Sequence, residues 1–229
     1  MIGNLARRLA PPSHYDLEMA AYQRIASKGF RPATIIDVGA FEGNWSRMAR
    51  RVFPDAELLM VEPQPAKQAI LQTVAAELSR ARLVQAPLSD QAGQQVPFYV
   101  METGSSLLPE NSNVERCVLQ VTTRTLDEVA EGLPGPMFLK IDVQGNGIAV
   151  LKGAAATLEK CELIQLEVAL LPYNEGAPTF LETISFMDAL GFVPLDISGF
   201  SRPNGVDLVQ TDLLFCRSGS ALRPSRFHF

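Results

Sequence analysis

Three acidic residues lie in or close short apolar runs. They are Asp37 in Thr34-Ile-Ile-Asp-Val38, Glu62 after Glu57-Leu-Leu-Met-Val61, and Asp142 after Met137-Phe-Leu-Lys-Ile141. The first run continues into Gly39-Ala-Phe-Glu-Gly43. Gly39 can turn tightly and lets a ligand approach bare backbone, and Gly43 lets the following helix start close by. The pattern is not the dinucleotide fingerprint, because Phe41 holds the place of the middle glycine. Nor is it a P-loop, since no Gly-Lys-Ser/Thr follows. It suits a ligand without a diphosphate, although an ordinary strand-to-helix turn looks similar. A carboxylate placed like Glu62 can accept two hydrogen bonds from a ribose diol, or cap the next helix from the surface. A glycine turn and an acidic second-strand end together point to an adenosine-type ligand. They favour S-adenosylmethionine over a nicotinamide dinucleotide.

The later run offers a second set of groups. Strand periodicity puts Lys140 and Asp142 on one face. A lysine inside a buried strand needs a carboxylate, with Asp142 or Asp37 as partner, and a purely structural ion pair meets the same need. Asp142 can hold a ligand's amino group, take a proton from an alcohol, or bind a metal. Glu167 stands near the end of Leu163-Ile-Gln-Leu-Glu-Val168. Two carboxylates from adjacent strand ends can share Mg²⁺, and ion-free binding of an acceptor is the simpler case. Trp45, Tyr173 and the loop around Ser105-Ser106 are candidates for shaping a pocket, although a lone tryptophan more often serves the core. The only histidines are His14 and His228, so a histidine base requires a terminal segment folded over the site.

These groups need a scaffold that brings strand ends together. Apolar strands are expected at 34–38, 57–62, 82–86, 137–142, 163–168, 192–197 and 213–216. Helices are expected at 14–28 (capped by Ser13), 44–52, 65–79, 147–158 and 178–190. The alternation predicts an α/β domain with a mostly parallel seven-stranded sheet, in which ligands bind beyond the carboxyl ends of the strands. Residues 96–101 and 117–122 break the rhythm and read as an inserted extended pair joined by a long loop. The expected organisation is a leader and helix over 1–33 that could serve as a lid, a catalytic domain over 34–217, and a flexible tail over 218–229. Tyr15, Met19 and Tyr22 form a helical stripe that suits core packing or a lid.

Composition narrows the classes. The chain of 229 residues carries 20 basic and 25 acidic side chains, a net charge of −5, which disfavours a duplex nucleic acid as partner. The apolar runs are far shorter than the ~20 residues of a membrane span. The three cysteines, Cys117, Cys161 and Cys216, lie far apart, so no cysteine-based metal site is expected and a reducing cytoplasm fits.

With these residues in place the chain resembles the FkbM-type methyltransferases, which are S-adenosylmethionine-dependent O-methyltransferases. The resemblance runs from about Ile35 to Phe215. Its strongest stretch is Phe138-Leu-Lys-Ile-Asp-Val-Gln-Gly145 with Val150-Leu-Lys-Gly-Ala154. Asp37-Val-Gly-Ala40, Val61-Glu62-Pro63, Ala86-Pro-Leu-Ser-Asp90, Ser105-Ser106, Thr125-Leu-Asp127 and Leu166-Glu-Val168 also match in order.

The resemblance implies a class I methyltransferase fold. It implies donor contacts from Asp37, Gly39, Ala40, Phe41, Gly43, Asn44, Trp45 and Ser46, from Glu62 and Pro63, from Leu88 and Ser89, and from Asp142. Asp142, Glu167 and Lys140 would carry the chemistry, with a small-molecule or carbohydrate hydroxyl as acceptor. No metal is required, Mg²⁺ on Asp142 and Glu167 being the alternative. The oligomeric state stays open. Three residues depart from the family pattern: Phe41 replaces an Asn, Gln144 replaces the Glu after Asp142, and Gly147 replaces a second Glu. The last two reduce the negative charge beside the reaction centre. A module that binds the donor without transferring its methyl group, and a nicotinamide-dependent oxidoreductase, are the rival readings.

Overall fold

The computed structural model describes residues 13–112, 114–171 and 173–224. In chain order its regular elements are α1 (His14–Ser27), β1 (Thr34–Val38), α2 (Asn44–Val52), β2 (Glu57–Val61), α3 (Gln68–Glu77), β3 (Ala81–Val84), β4 (Gln95–Val100), β5 (Cys117–Thr122), α4 (Leu126–Val129), β6 (Met137–Ile141), α5 (Gly147–Lys152), α6 (Ala155–Lys160), β7 (Cys161–Ala169), α7 (Phe180–Ala189), β8 (Phe192–Ser201) and β9 (Gln210–Arg217). Seven strands form one sheet in the order β3-β2-β1-β6-β7-β9-β8. The strands from β3 to β7 pair in parallel, and β9 runs antiparallel to both β7 and β8. β4 and β5 form a separate antiparallel pair. The α/β class, the mostly parallel seven-stranded sheet and the inserted pair are as the sequence predicts.

Every residue of β1 and β6 is buried, because helices cover both faces of a parallel sheet. Alternation divides the strand residues between two cores. Ile36, Val38, Leu59, Leu139 and Ile141 pack with Leu126, Leu151, Leu158 and Met187 from α4–α7. Ile35, Leu58, Met60 and Phe138 pack with Tyr22, Ile25, Met48 and Leu71 from α1–α3. Ser13 caps α1 through a reciprocal box with Asp16, which satisfies donors at the first turn.

Several boundaries differ from expectation. The helix expected over 147–158 is two short helices that meet at Gly153, where an added Cβ would lie 2.3 Å from the Ser89 carbonyl oxygen. The chain must bend to let that backbone pass. The helix expected from 65 opens as a 3-10 turn, Pro65–Lys67, and α3 ends at Glu77. The third strand stops at Val84, opposite the last residue of β2. In residues 218–224 of the expected tail, Leu222 is buried and its carbonyl accepts a hydrogen bond from Lys28 Nζ at 2.8 Å, while most of its neighbours are exposed. The expected leader, 1–12, and residues 225–229 with His228 lie outside the described residues. Among the described residues, no helix is long and apolar enough to cross a membrane.

Candidate active site

A cavity of about 230 Å³ opens at the carboxyl ends of β1, β2 and β6. There the connection leaving β1 runs toward β2 and that leaving β6 runs the other way, toward β7, the place where open α/β sheets bind ligands. Its floor and walls come from Gly39–Glu42, Asn44, Trp45, Glu62–Gln64, Ala86–Leu88, Lys140, Asp142 and Asn146. The segment joining β4 to β5 supplies Glu102, Thr103 and Ser105–Leu107, so the insertion helps to enclose the site. Ser106 is tied down there, donating from Oγ to the Gln144 carbonyl at 2.8 Å.

Gly39 is required by a close approach. Its φ is +80°, and a Cβ would sit 1.9 Å from the Asp142 carbonyl oxygen. The turn after β1 and the end of β6 therefore touch, leaving bare backbone toward the cavity. Phe41 adopts a left-handed φ of 48°, a strained conformation for a bulky residue. Its N–H donates to Glu62 Oε2 at 2.8 Å, while Lys67 Nζ stands 4.0 Å from its ring centroid. The Gln64 N–H donates to Glu62 Oε1 at 2.9 Å. Burial pushes the Glu62 carboxyl above its ordinary range, opposed by those two backbone donors. Each oxygen keeps a lone pair for a further donor.

Asp37 lies beneath this surface, fully buried and outside the cavity lining. Its Oδ2 accepts from Ser46 Oγ at 2.7 Å and its Oδ1 pairs with Lys140 Nζ at 3.1 Å. Lys140 also donates to the Gly39 carbonyl at 3.1 Å and stands 3.6 Å from Asp142 Oδ2. Burial would lower the lysine's pKa, but Asp37 and Asp142 more than offset it and hold the ammonium charged. Asp37 and Ser46 thus hold Lys140, and Lys140 holds Asp142 and the glycine turn. The donor contact expected of Asp37 is corrected: as an interior residue of β1 it is covered on both faces and does not line the cavity. Gly43 packs against Leu71 and Val74 and Ser89 lies outside the lining. Gly39, Ala40, Phe41, Asn44, Trp45, Glu62, Pro63, Leu88, Lys140 and Asp142 do line it.

Glu167 faces an adjoining hollow with Tyr173, Asn174 and Thr183. Gln144 stands between it and Asp142. The Gln144 amide donates to Asp142 Oδ1 at 3.1 Å and to Glu167 Oε2 at 2.9 Å. Gln210 Nε2 donates to Glu167 Oε2 at 3.1 Å. The Tyr173 hydroxyl is within 2.7–3.1 Å of oxygens on Gln144, Glu167 and Gln210. One hydroxyl hydrogen cannot serve three oxygens, which favours a proton on Glu167. Burial first, and then the Asp142 charge, push the Glu167 carboxyl well above its usual range. Burial acts in the same direction on Asp142, but Lys140 and hydrogen bonds from Glu167 and Gln144 outweigh it and hold Asp142 low. The arrangement is one anion beside one neutral acid. An open pair of carboxylates for Mg²⁺ is not formed, and no group of three or more His, Cys, Asp or Glu is placed to hold a metal among the described residues.

Gln64, Glu102, Thr103 and Asn146 were not singled out by sequence, although Gln64 follows Glu62 closely enough for its backbone role to be read. Gln210 carries no sequence signal. Methyltransferase FkbM domain sequences match residues 37–194. The chain belongs to the FkbM methyltransferase family.

Among relatives of this FkbM chain, the 2-O-methyltransferase NoeI of Sinorhizobium fredii is 28% identical over 160 residues, covering 62% of this chain and 65% of that protein. A crystal structure of Methyltransferase FkbM from Methylobacillus flagellatus KT superposes with a TM-score of 0.50 at 19% identity, covering 80% of this chain and 43% of that one. Precorrin-6y C5,15-methyltransferase from Geobacter metallireducens aligns with a TM-score of 0.50 at 12% identity over 87% of both chains. The last two share the fold. The chain spans about two thirds of the length of NoeI and under half of that of the Methylobacillus protein.

Proposed function

We propose that this FkbM-family chain transfers a methyl group from S-adenosylmethionine to a hydroxyl of a small molecule, a sugar or a natural product. The observation that carries the reading is the cavity at the β1–β2–β6 ends, with Glu62 at one wall, Asp142 at the other and the Gly39 backbone between them. These groups fit the donor. Glu62 has free lone pairs for a ribose diol, Gly39 leaves room for close backbone approach, and Asp142 offers a negative charge to an ammonium group. Bound there, the donor supplies an electrophilic methyl on a sulfonium centre. The protein's part is alignment, which can supply ~7–11 kcal/mol of a displacement barrier. Asp142, the anion of the Asp142–Glu167 pair, receives the acceptor's proton during or after attack. Residues 34–217 form the catalytic domain in this reading. Hydroxyl as the acceptor class is supported by family membership and by the 2-O-methyltransferase activity that gives NoeI its name.

Trp45 is the only tryptophan and lines the cavity, so its fluorescence reports donor binding. Titration with S-adenosylhomocysteine is expected to saturate. Glu62→Gln sets an amide N–H against one of the two backbone donors, Phe41 N–H or Gln64 N–H, and is expected to weaken affinity about 10- to 150-fold, equivalent to about 1.5–3 kcal/mol. Asp142→Asn is expected to retain the fold and lose transfer from labelled donor to an alcohol panel. Unaltered turnover would remove Asp142 as proton acceptor. Saturable donor binding with no transfer to any alcohol would favour a binding module instead.

A further inference from the structure

The groups around Glu167 are arranged in a way that the transfer reaction does not itself require. Two carboxylates approach one another from the ends of β6 and β7, and a single primary amide lies between them. Both hydrogens of Gln144 Nε2 are committed, one to Asp142 Oδ1 at 3.1 Å and one to Glu167 Oε2 at 2.9 Å. The amide oxygen faces the Tyr173 hydroxyl at 3.0 Å, and reversing the amide would set its oxygen against the Asp142 carboxylate. Its backbone is held as firmly. Gln144 adopts φ 49° and Gly145 φ 90°, and the Gln144 carbonyl accepts from the buried Ser106 hydroxyl at 2.8 Å. On the far side Gln210 Nε2 donates to Glu167 Oε2 at 3.1 Å. The Gln144 donors that bridge the two side chains are thus neutral N–H groups, at the place where two acids from adjacent strand ends could share a divalent cation.

We propose that Gln144 is a positioning residue that takes the place of a cation between Asp142 and Glu167, making this centre independent of divalent metal. A cation would have to displace an amide whose two hydrogens already bond to both side chains. The oxygen that remains there bears only a partial charge. The amide also fixes how the pair presents itself. It draws Asp142 Oδ1 toward Glu167, while Asp142 Oδ2 faces Lys140 at 3.6 Å. The consequence for turnover rests on the proposed transfer activity; the consequence for metal binding does not.

The test is calorimetry with Mg²⁺ and Mn²⁺ on the full chain, run beside the Trp45 titration with S-adenosylhomocysteine. The unsubstituted protein is expected to give no saturable heat at millimolar cation, and its S-adenosylhomocysteine affinity to be unmoved by a chelator. Gln144→Glu removes both donors and adds a third carboxylate. It is expected to bind cation with a dissociation constant of about 10⁻³ M or tighter, and to lose that site when Asp142→Asn is added. If Gln144→Glu does not fold, Gln144→Met removes the donors without adding charge and is expected to take up cation more weakly at the same place. Cation binding by the unsubstituted protein that Asp142→Asn abolishes overturns the proposal. So does a folded variant that gains no cation site. Failure of S-adenosylhomocysteine to bind any form would sink the transferase reading while leaving the calorimetric comparison intact.

Discussion

Lys140 shows how one residue couples the interior to the site. Its ammonium lies between the fully buried Asp37 and the cavity-facing Asp142. Removing one partner of such a pair leaves an uncompensated buried charge. Lys140→Met is therefore expected to cost about 3–5 kcal/mol in urea denaturation. Adding Asp37→Asn should recover part of that loss, because the stranded charge goes with it. A single-variant loss below about 1 kcal/mol would mean that water already screens the pair. Lys140, Asp142 and Glu62 were legible as candidates for the cavity lining because charged groups in or just after apolar runs stand out. The depth of Asp37 was not, since a strand pattern says which residues alternate and not which carboxylate the covering helices seal over.

At the scale of elements, α1 positions a wall of the cavity without lining it. Tyr22 is buried, packs edge-to-face on Phe138 with centroids 5.3 Å apart, and accepts a hydrogen bond from Trp45 Nε1 at 2.8 Å. Its own hydroxyl faces Gln165 and Glu18, and Gln165 Nε2 donates to Glu18 Oε1 at 2.8 Å. The stripe read as core or lid is thus core at Tyr22, while Tyr15 stays exposed. Tyr22→Phe strips Trp45 of its acceptor and Gln165 of its donor. It is expected to cost about 1–3 kcal/mol and to shift the emission of the sole tryptophan. An unchanged spectrum in a folded variant would show that α1 does not set the indole's position. Strand spans such as β1 and the start of β6 were legible from apolar periodicity. The break at Gly153 was not, because its cause is the Ser89 backbone passing within reach, a contact from more than sixty positions earlier in the chain.

Across the whole molecule, His14 on the first described helix meets Asp212 on the last strand at 3.1 Å. The Asp212 carboxylate is the chief cause that raises the His14 pKa from 6.5 to about 9, against the opposing effect of burial, with Glu18 adding to the rise. A raised histidine stabilises the fold fully below its unfolded value. The contribution is lost as pH climbs from 6.5 toward about 9. Denaturation of His14→Gln should therefore show a deficit against the unsubstituted protein near about pH 6 that closes by about pH 9.5. A deficit constant across that range would mean that the imidazole acts through packing alone.

The sequence by itself determined the alternating α/β scheme, the turn at Gly39, the acidic strand ends and the family, because each is written in local spacing or in an ordered set of short motifs. Tertiary structure alone decided what surrounds Glu167. β9 runs antiparallel to β7 and pairs Ala169 with Gln210, so the first residue of a late strand arrives beside the carboxyl ends of strands that run the other way. No periodicity in the chain encodes that meeting. It follows from the direction in which the last strand is inserted into the sheet, and it places Gln210 beside an acid whose charge burial and its neighbours govern.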